Sequence, residues 1–188
     1  MDNIFYSINV QTEVITPLFT FSSYTYVSAT GEGNLSNDGR FVVVAGFNAS
    51  YEIVDFMLFD ILTNNIANTF NVFGQFTDFD WASVSPLGNY IVIDYANTID
   101  APFNGLEVYD TAFNFIWRQP IGAGHSDMGL DIGGTEVLIM DAYDADSNRT
   151  YINKYNLSNG ATTSLLDISP DFDLHESCRN MNRPGWTY

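Results

Sequence analysis

The chain has 188 residues, 46% of them hydrophobic, so it is long and apolar enough to bury the core of one domain. Six Lys and Arg stand against 23 Asp and Glu, and the formal net charge of -17 argues against binding to a nucleic-acid backbone or an anionic membrane. The single cysteine excludes an internal disulfide, and no apolar run approaches the roughly 20 residues of a membrane span.

Two local patterns recur along the chain at steps of about 50 residues. In the first pattern, a hydrophobic residue and an aromatic or polar residue precede an Asp or Asn that opens a turn: Asn9, Asp60, Asp110 and Asn156. In the second, a small polar turn containing Gly is followed by an apolar run, and these turns begin at Ser36, Ser85 and Asp131. A shared period of this length in β-type sequence predicts a β-propeller, in which each blade is a four-stranded antiparallel sheet.

In chain order, the first predicted elements are the two outer strands of one blade, from Asn3 to about Phe21. Complete blades follow, and the clearest has its inner, second, third and outer strands at DWASV from Asp80, YIVIDYA from Tyr90, GLEVYD from Gly105 and FIWRQPI from Phe115. These segments are rich in Val, Ile, Tyr and Phe and are bounded by turn residues, as strands require. Helix should be scarce because no stretch keeps a 3.6-residue apolar period. The competing fold is a β-sandwich, whose sequence need not repeat.

The predicted domain is a partial propeller over residues 1–188, with about four blades and blade boundaries near residues 30, 78, 124 and 174. A propeller ring normally has about four to eight blades, and an open end exposes sheet edges. We therefore expect either a fragment of a larger ring of about six to eight blades, or a chain that self-associates through its open edges.

The only two histidines occupy equivalent positions in the repeat. His125 and His175 each lie six residues before the Gly-containing turn of their blade, at Asp131 and Met181. Each should therefore enter the innermost strand of its blade. Because inner strands line the central channel, both histidines are predicted at one rim of it, where we expect a carbohydrate or another polar small ligand to bind.

Strand alternation places further polar side chains beside the histidines. Asp127 shares a side with His125, while Ser177 and Arg179 share a side with His175. The same C-terminal stretch continues with Arg183, Trp186 and Tyr188. Two interpretations remain open: these residues form a ligand-binding or catalytic site, or the inner-strand polar groups satisfy one another and join neighbouring blades.

These stretches resemble a known family. The segments GHSD from Gly124 and HESCRN from His175, followed by RPGW from Arg183, lie on repeats with turns such as SPLG from Ser85. In this respect the chain resembles TolB-like propellers, and in particular the oligogalacturonate-lyase and ulvan-lyase types secreted by polysaccharide-degrading bacteria.

The resemblance implies β-elimination on uronic-acid polymers. It implies that His125 and His175 move protons or hold a metal ion, and that Arg179 or Arg183 neutralises the uronate. A secreted or periplasmic parent protein is implied as well, although the N-terminus MDNIFYSINV lacks the basic and apolar regions of a signal peptide. The alternative function is a non-catalytic propeller that serves as a glycan- or protein-binding scaffold.

One acidic loop suggests a second metal position. The sequence from Asp144 to Asn148 begins like a calcium loop with Asp144 and Asp146, but Arg149 stands where such a loop needs Gly. Looser binding of a divalent ion such as Ca, Mn or Zn by Asp141, Asp144 and Asp146 competes with a simple acidic, solvated hairpin loop. Asn-x-Ser/Thr triplets, which fit a glycosylation pattern, begin at Asn34, Asn48, Asn148 and Asn156, but such triplets arise often by chance in an Asn-rich chain.

Overall fold

Every regular element in the computed structural model is a β-strand. The structure describes residues 3–29, 34–74, 76–78, 81–95, 97–98, 105–120, 128–130, 135–144 and 149–167. These residues form sixteen strands and contain no helix. All strand pairs are antiparallel, and three sheets have four strands each. The predicted fold class, an all-β chain of four-stranded antiparallel sheets, is confirmed.

The chain begins with an isolated hairpin. Strand β1 (Ile4–Ile8) pairs with β2 (Ile15–Thr20), and we call this pair the N-terminal hairpin. Its two strands match the two outer strands that the sequence predicts at the start of the chain. The hairpin packs on the first complete sheet through aromatic side chains, so it behaves as the outer half of a preceding blade.

The first sheet is a meander of four strands in chain order. It contains β3 (Tyr26–Ser28), β4 (Phe41–Phe47), β5 (Ile53–Asp60) and β6 (Asn65–Asn71). The two central strands are almost continuously apolar because other parts of the chain cover both of their faces. The outer strand β6 is polar and largely exposed, which protects the sheet edge.

The second sheet has the four strands that the sequence predicts for one blade. They are β8 (Trp81–Val84), β9 (Tyr90–Tyr95), β11 (Gly105–Asp110) and β12 (Phe115–Pro120). The short strand β7 (Phe76–Asp78) precedes this sheet and pairs with β10 (Asn97–Thr98). In the sequence β10 lies between β9 and β11, but it is not part of their sheet. This small ribbon is an addition to the repeat that the periodicity did not predict.

The third sheet repeats the same order. It contains β13 (Met128–Leu130), β14 (Glu136–Asp144), β15 (Arg149–Asn156) and β16 (Thr162–Asp167). Asp144 at the end of β14 faces Arg149 at the start of β15, and the acidic sequence between them lies outside the described residues.

In the first and second sheets a Gly-containing turn joins the inner strand to the second strand. In the first sheet the Ser36 hydroxyl accepts hydrogen bonds from the backbone amides of Arg40 and Phe41 at 3.2 and 2.9 Å, and Gly39 has a φ of 71°. Ser85 and Gly88 repeat this arrangement in the second sheet, where Gly88 has a φ of 72°. Glycine suits these positions because a positive φ is strained for other residues.

The Asp and Asn markers of the repeat close the turns between the third and outer strands. Side-chain oxygens of Asn9, Asp60, Asp110 and Asn156 accept hydrogen bonds from backbone amides two to four residues later in the chain. These are Asx turns, in which a short polar side chain replaces a backbone acceptor. The sequence marker and the structural turn therefore coincide in all four repeats.

Neighbouring sheets pack face to face and share hydrophobic cores. One core joins the N-terminal hairpin to the first sheet, a second joins the first sheet to the second, and a third joins the second sheet to the third. The sheets therefore follow one another in chain order, each between its predecessor and its successor, as blades do.

Hydrogen bonds between neighbouring sheets show that their turns lie on the same side of the molecule. The Asn37 amide donates to the Pro86 carbonyl at 2.7 Å, which joins the Ser turns of the first and second sheets. The Trp117 indole donates to the Leu157 carbonyl at 2.7 Å, next to the Asx turn of the third sheet. We call the side that carries the Ser and Asx turns the turn rim. The opposite side, at which β3, β8 and β13 begin, is called the entry rim.

Candidate functional site

The entry rim is the candidate site because the repeat predicts both histidines at the start of an inner strand. The strand registers define this rim in the first sheet: Tyr26 at the start of β3 faces Phe47 at the end of β4, and Phe47 faces Ile53 at the start of β5. Asp55 near the start of β5 faces Asn71 at the end of β6. The turn between β4 and β5 and one end of each of the four strands therefore lie at this rim.

Most of the sequence-predicted site residues lie outside the described residues. These are His125, Asp127, Asp146, His175, Ser177, Arg179, Arg183 and Tyr188. Asp144 is the last residue of β14. The proximity of the two histidines therefore stays a prediction. In the described part of the chain, β13 begins at Met128, directly after Asp127 in the sequence.

Three other side chains meet at the entry rim of the first sheet. The Tyr24 hydroxyl donates to Asp55 Oδ2 at 2.7 Å, and Asn71 Nδ2 donates to Asp55 Oδ1 at 3.0 Å. We call these residues the Tyr24 cluster. The loop that carries Tyr24 is fixed from the N-terminal side, because Asn3 Nδ2 donates to the Tyr24 carbonyl at 2.6 Å.

A glycine makes room for the Tyr24 ring. The ring lies against Gly46 in β4, where a Cβ atom would come within 2.4 Å of Tyr24 Cδ1. The strand can approach the ring this closely only because the glycine has no side chain. Gly46 therefore determines where the phenol lies, and with it the position of its hydrogen bond to Asp55.

The electrostatics make Tyr24 a donor rather than a base. Burial, followed by the hydrogen bond to the Asp55 carboxylate and its negative charge, raises the pKa of the Tyr24 phenol above its usual range. The phenol stays protonated at neutral pH, and its proton points to Asp55. The Tyr24 cluster can accordingly hold a carboxylate in place and offer hydrogen bonds to a polar ligand, but it cannot abstract a proton through this tyrosine.

Sequence analysis did not identify the Tyr24 cluster. One signal was available, because Asp55 interrupts the otherwise apolar run IVDFMLF in β5. A charged residue within such a strand needs a partner. The partner, Tyr24, lies 31 residues earlier in the chain, so the repeat period of about 50 residues does not relate the two positions.

Exposed aromatic side chains flank the same rim. Tyr51 lies in the turn between β4 and β5, has a φ of 62° and is 78% exposed. Phe73 follows β6 and is also exposed. The turn that carries Tyr51 is closed by Asn48, whose side-chain oxygen accepts from the backbone amides of Ser50 and Glu52. The rim of the first sheet thus combines a fixed carboxylate with two accessible aromatic rings.

A second polar cluster is buried between the first and second sheets. Glu107 in β11 is 2% exposed, and its carboxylate accepts hydrogen bonds from the Tyr109 hydroxyl and from Arg118 Nε. Arg118 also forms an ion pair with this carboxylate. A buried charge needs such partners, because a buried carboxylate without them would strongly destabilise the fold. Its position within β11 and its burial set it apart from the entry rim.

The described residues contain no group of three or more His, Cys, Asp and Glu side chains that could hold a metal ion. Within the same residues, no helix has the length and apolar character needed to span a bilayer.

No protein-family model matches the sequence, and no curated protein matches it. Solved structures do match. TolB from Acinetobacter baumannii has a TM-score of 0.52 at 12% identity, with 85% of this chain and 37% of that chain covered. An oligogalacturonate lyase in complex with manganese has a TM-score of 0.50 at 12% identity, with 87% of this chain and 46% of that chain covered.

A third similar structure is a complex of KlAtg21 with the coiled-coil of AgAtg16. Its TM-score is 0.51 at 12% identity, and the match covers 88% of this chain and 48% of that chain. The chain thus spans less than half the length of these three structures. At such low identities the similarity shows the fold alone: the chain has the architecture of a β-propeller.

Proposed function

We propose that the entry rim of this propeller binds uronic-acid polysaccharide and that the protein cleaves it by β-elimination. The observation that carries this proposal is the repeat register. The Ser and Asx turns obey the period on which the equivalence of His125 and His175 depends. The fold that the chain shares with an oligogalacturonate lyase supports the same assignment.

The proposed reaction needs a base and a group that neutralises the uronate. One histidine removes the proton on the carbon next to the uronate carboxylate, and a carbon–carbon double bond forms as the glycosidic C–O bond on the neighbouring carbon breaks. The leaving oxygen takes up a proton, for which the second histidine is the proposed donor. Imidazole suits both roles because its pKa lies near neutrality.

The transition state carries additional negative charge, which Arg179 is proposed to offset. Asp127 and Ser177 are proposed as ligand contacts beside the histidines, and Arg183 and Tyr188 as further ligand contacts. The net charge of -17 opposes an acidic substrate, so a local cation is needed. A divalent ion held by the histidines, or a weaker one at Asp144 and Asp146, would supply the same neutralisation.

The Tyr24 cluster fits the binding part of this proposal. The Asp55 carboxylate and the side chain of Asn71 offer hydrogen-bonding groups to sugar hydroxyls. Tyr51 and Phe73 offer exposed ring faces to the apolar side of a sugar ring. A secreted or periplasmic location of the protein is part of the proposal, because such polysaccharides are met outside the cytoplasm.

The test uses the ultraviolet absorbance of unsaturated uronate products. The chain is incubated with oligogalacturonate, ulvan and alginate, with and without added Ca, Mn or Zn. At least one substrate should give a time-dependent rise, and His125→Ala or His175→Ala should lower kcat by roughly 100-fold or more. Gln11→Ala, which changes an exposed residue of the N-terminal hairpin on the turn rim, is the matched control and should keep full activity.

The second candidate function is a non-catalytic propeller that binds a glycan or a protein. A structure of the same fold, solved in complex with a coiled-coil, favours this candidate. If none of the three substrates yields product, and the double substitution of His125 and His175 by Ala leaves ligand binding unchanged, the scaffold function replaces the enzymatic one.

A further inference from the structure

Basic side chains are distributed unevenly along the chain. Between residues 1 and 117 the sequence has a single Lys, Arg or His, which is Arg40, while five further Lys and Arg and both histidines follow. Arg40 lies at the turn rim, where its guanidinium pairs with Asp60 at 2.8 Å. In residues 3–29 and 34–74, which form the N-terminal hairpin and the first sheet, no basic side chain therefore lies at the entry rim.

The entry rim of the first sheet has carboxylates instead. Asp55 accepts hydrogen bonds from the Tyr24 hydroxyl and from Asn71. Glu52, in the turn before β5, accepts one from Asn48 Nδ2 at 2.7 Å. A uronate carboxylate placed here would meet two like charges and no cation, which disfavours its binding. A sugar hydroxyl, in contrast, can donate to a carboxylate oxygen.

The Asp55 carboxylate is in position before any ligand binds. The Tyr24 hydroxyl bonds to one of its oxygens and the Asn71 amide to the other, so both oxygens are fixed. The Tyr24 ring is itself held against Gly46, where a Cβ atom would come too close. An ionised carboxylate has about four lone-pair sites, and these two bonds use two of them. A ligand hydroxyl therefore meets a fixed acceptor, and little side-chain entropy is lost on binding.

Aromatic rings lie on both sides of this carboxylate in the sequence and at the same rim. Tyr51 precedes Asp55 by four residues, and Phe73 follows Asn71 by two. Their side chains are 78% and 54% exposed. Exposed rings can pack against the apolar face of a neutral sugar, whereas a charged group pressed against them would lose its hydration without gaining a partner.

We propose that the entry rim of the first sheet is a subsite for a sugar without a charged carboxylate. The proposal rests on the function proposed above and narrows its substrate class: the polysaccharide carries neutral sugars as well as uronates. Hydroxyls of the neutral sugar donate to Asp55, and its ring packs on Tyr51 or Phe73. The uronate lies further along the rim, toward the basic residues that follow residue 117.

The first experiment locates the ligand by hydrogen exchange of the full chain. The two probes are oligogalacturonate and its fully methyl-esterified form, which has the same sugar backbone without the negative charges. At saturation the esterified probe should slow amide exchange in residues 50–55 and 71–73 by about threefold or more. The charged probe should leave exchange in these residues unchanged. Residues 61–64 at the turn rim are the internal control, and neither probe should affect them.

The second experiment tests the carboxylate by calorimetric titration with the same probes. Asp55→Asn keeps an acceptor for Tyr24 but removes the charge, so affinity for the charged probe should rise by about fivefold or more. Affinity for the esterified probe should change by less than about twofold. The matched control is Asp38→Asn, which makes the same change in net charge at an exposed position on the turn rim and should alter neither affinity.

Tyr51→Ala tests the aromatic contact. Tyr51 is exposed in a turn, so its loss should leave the fold intact, as circular dichroism checks. Affinity for the esterified probe should fall by about fivefold or more, because the ring face is lost.

Three outcomes would overturn the proposal. The charged probe could slow exchange in residues 50–55 as much as the esterified one does. Neither probe could slow it. Asp55→Asn could behave like Asp38→Asn. The ultraviolet assay tests the elimination reaction separately: product without protection of the first sheet would remove this subsite and keep the enzymatic function, and protection without product would do the reverse.

Discussion

The Asp and Asn side chains at the outer turns accept hydrogen bonds from the turn backbone in each repeat, but their surroundings differ. Asp60 is the most constrained of them. Its Oδ1 accepts from the backbone amides of Leu62 and Thr63, and its Oδ2 accepts from Arg40 Nε and Nη2 at 3.1 and 2.8 Å. The Arg40 hydrogen bonds, together with the backbone amides, hold the pKa of Asp60 below its usual range. The amide of Asn114 does the same for the pKa of Asp110.

These lowered pKa values predict acid sensitivity. A carboxyl whose pKa is lower in the folded than in the unfolded state stabilises the fold at every pH above the unfolded value of about 3.9, and this contribution is lost as the pH falls through the folded value. The free energy of unfolding should therefore decline from about pH 5 downward. Urea denaturation between pH 7 and pH 3 measures this decline.

Asp60→Asn should lower the free energy of unfolding at pH 7 by about 1–3 kcal/mol, the typical range for hydrogen bonds to a charged group. The decline in acid should also become shallower in this variant. Arg40→Met removes the charge partner and should give a similar shallower decline. A variant at position 60 that keeps the full acid dependence of the wild type would contradict the assignment.

At the scale of elements, side chains from outside the strands join one sheet to the next. Asn34 is 7% exposed, and its Oδ1 accepts from the amides of Val43 in β4 and Val84 in β8 at 3.1 and 3.3 Å. Its Nδ2 donates to the Val43 carbonyl at 2.5 Å. Asn34 thus links the first sheet to the inner strand of the second. Its burial also excludes glycosylation at this Asn-Leu-Ser triplet in the folded chain.

Asn34→Ala should destabilise the fold by about 2–4 kcal/mol, because it leaves buried backbone groups of two strands without a partner. Hydrogen exchange should show faster exchange at the Val43 and Val84 amides in particular. Ser50→Ala, an exposed position in the turn before β5, serves as the control and should change stability by less than about 0.5 kcal/mol. If Asn34→Ala changed stability by as little as the control, Asn34 would not be an important link between the two sheets.

The strands of the second sheet could be predicted from sequence because turn residues bracket each apolar run. β8, β9, β11 and β12 coincide with the predicted segments to within one or two residues at each end. The ribbon of β7 and β10 was missed, since strands of two and three residues are too short to show alternation.

The candidate site was only partly predictable. The repeat predicts that His125 and His175 occupy equivalent positions, although they are 50 residues apart in the sequence. The Tyr24 cluster depends instead on a tertiary contact, in which the Tyr24 ring packs against Gly46 of the later strand β4. The repeat pattern does not predict such a contact, so only the folded chain reveals it.

For the molecule as a whole, the net charge of -17 opposes folding, because the compact chain brings like charges together. Salt screens the repulsion, because the Debye length falls from about 30 Å at 0.01 M to about 8 Å at 0.15 M ionic strength. The free energy of unfolding should therefore rise as NaCl is raised over this range.

Urea denaturation at several NaCl concentrations measures this trend. If salt lowered the free energy of unfolding instead, ion pairs such as Arg40–Asp60 would outweigh the net repulsion.

The placement of hydrogen bonds between sheets has a mechanical consequence. The bonds from Asn37 to Pro86 and from Trp117 to Leu157 both join neighbouring sheets at the turn rim. Small rotations about these fixed points would displace the far ends of the strands most and would break no ladder within a sheet. The entry rim of the described sheets can therefore shift further than the turn rim, where these hydrogen bonds hold neighbouring sheets together.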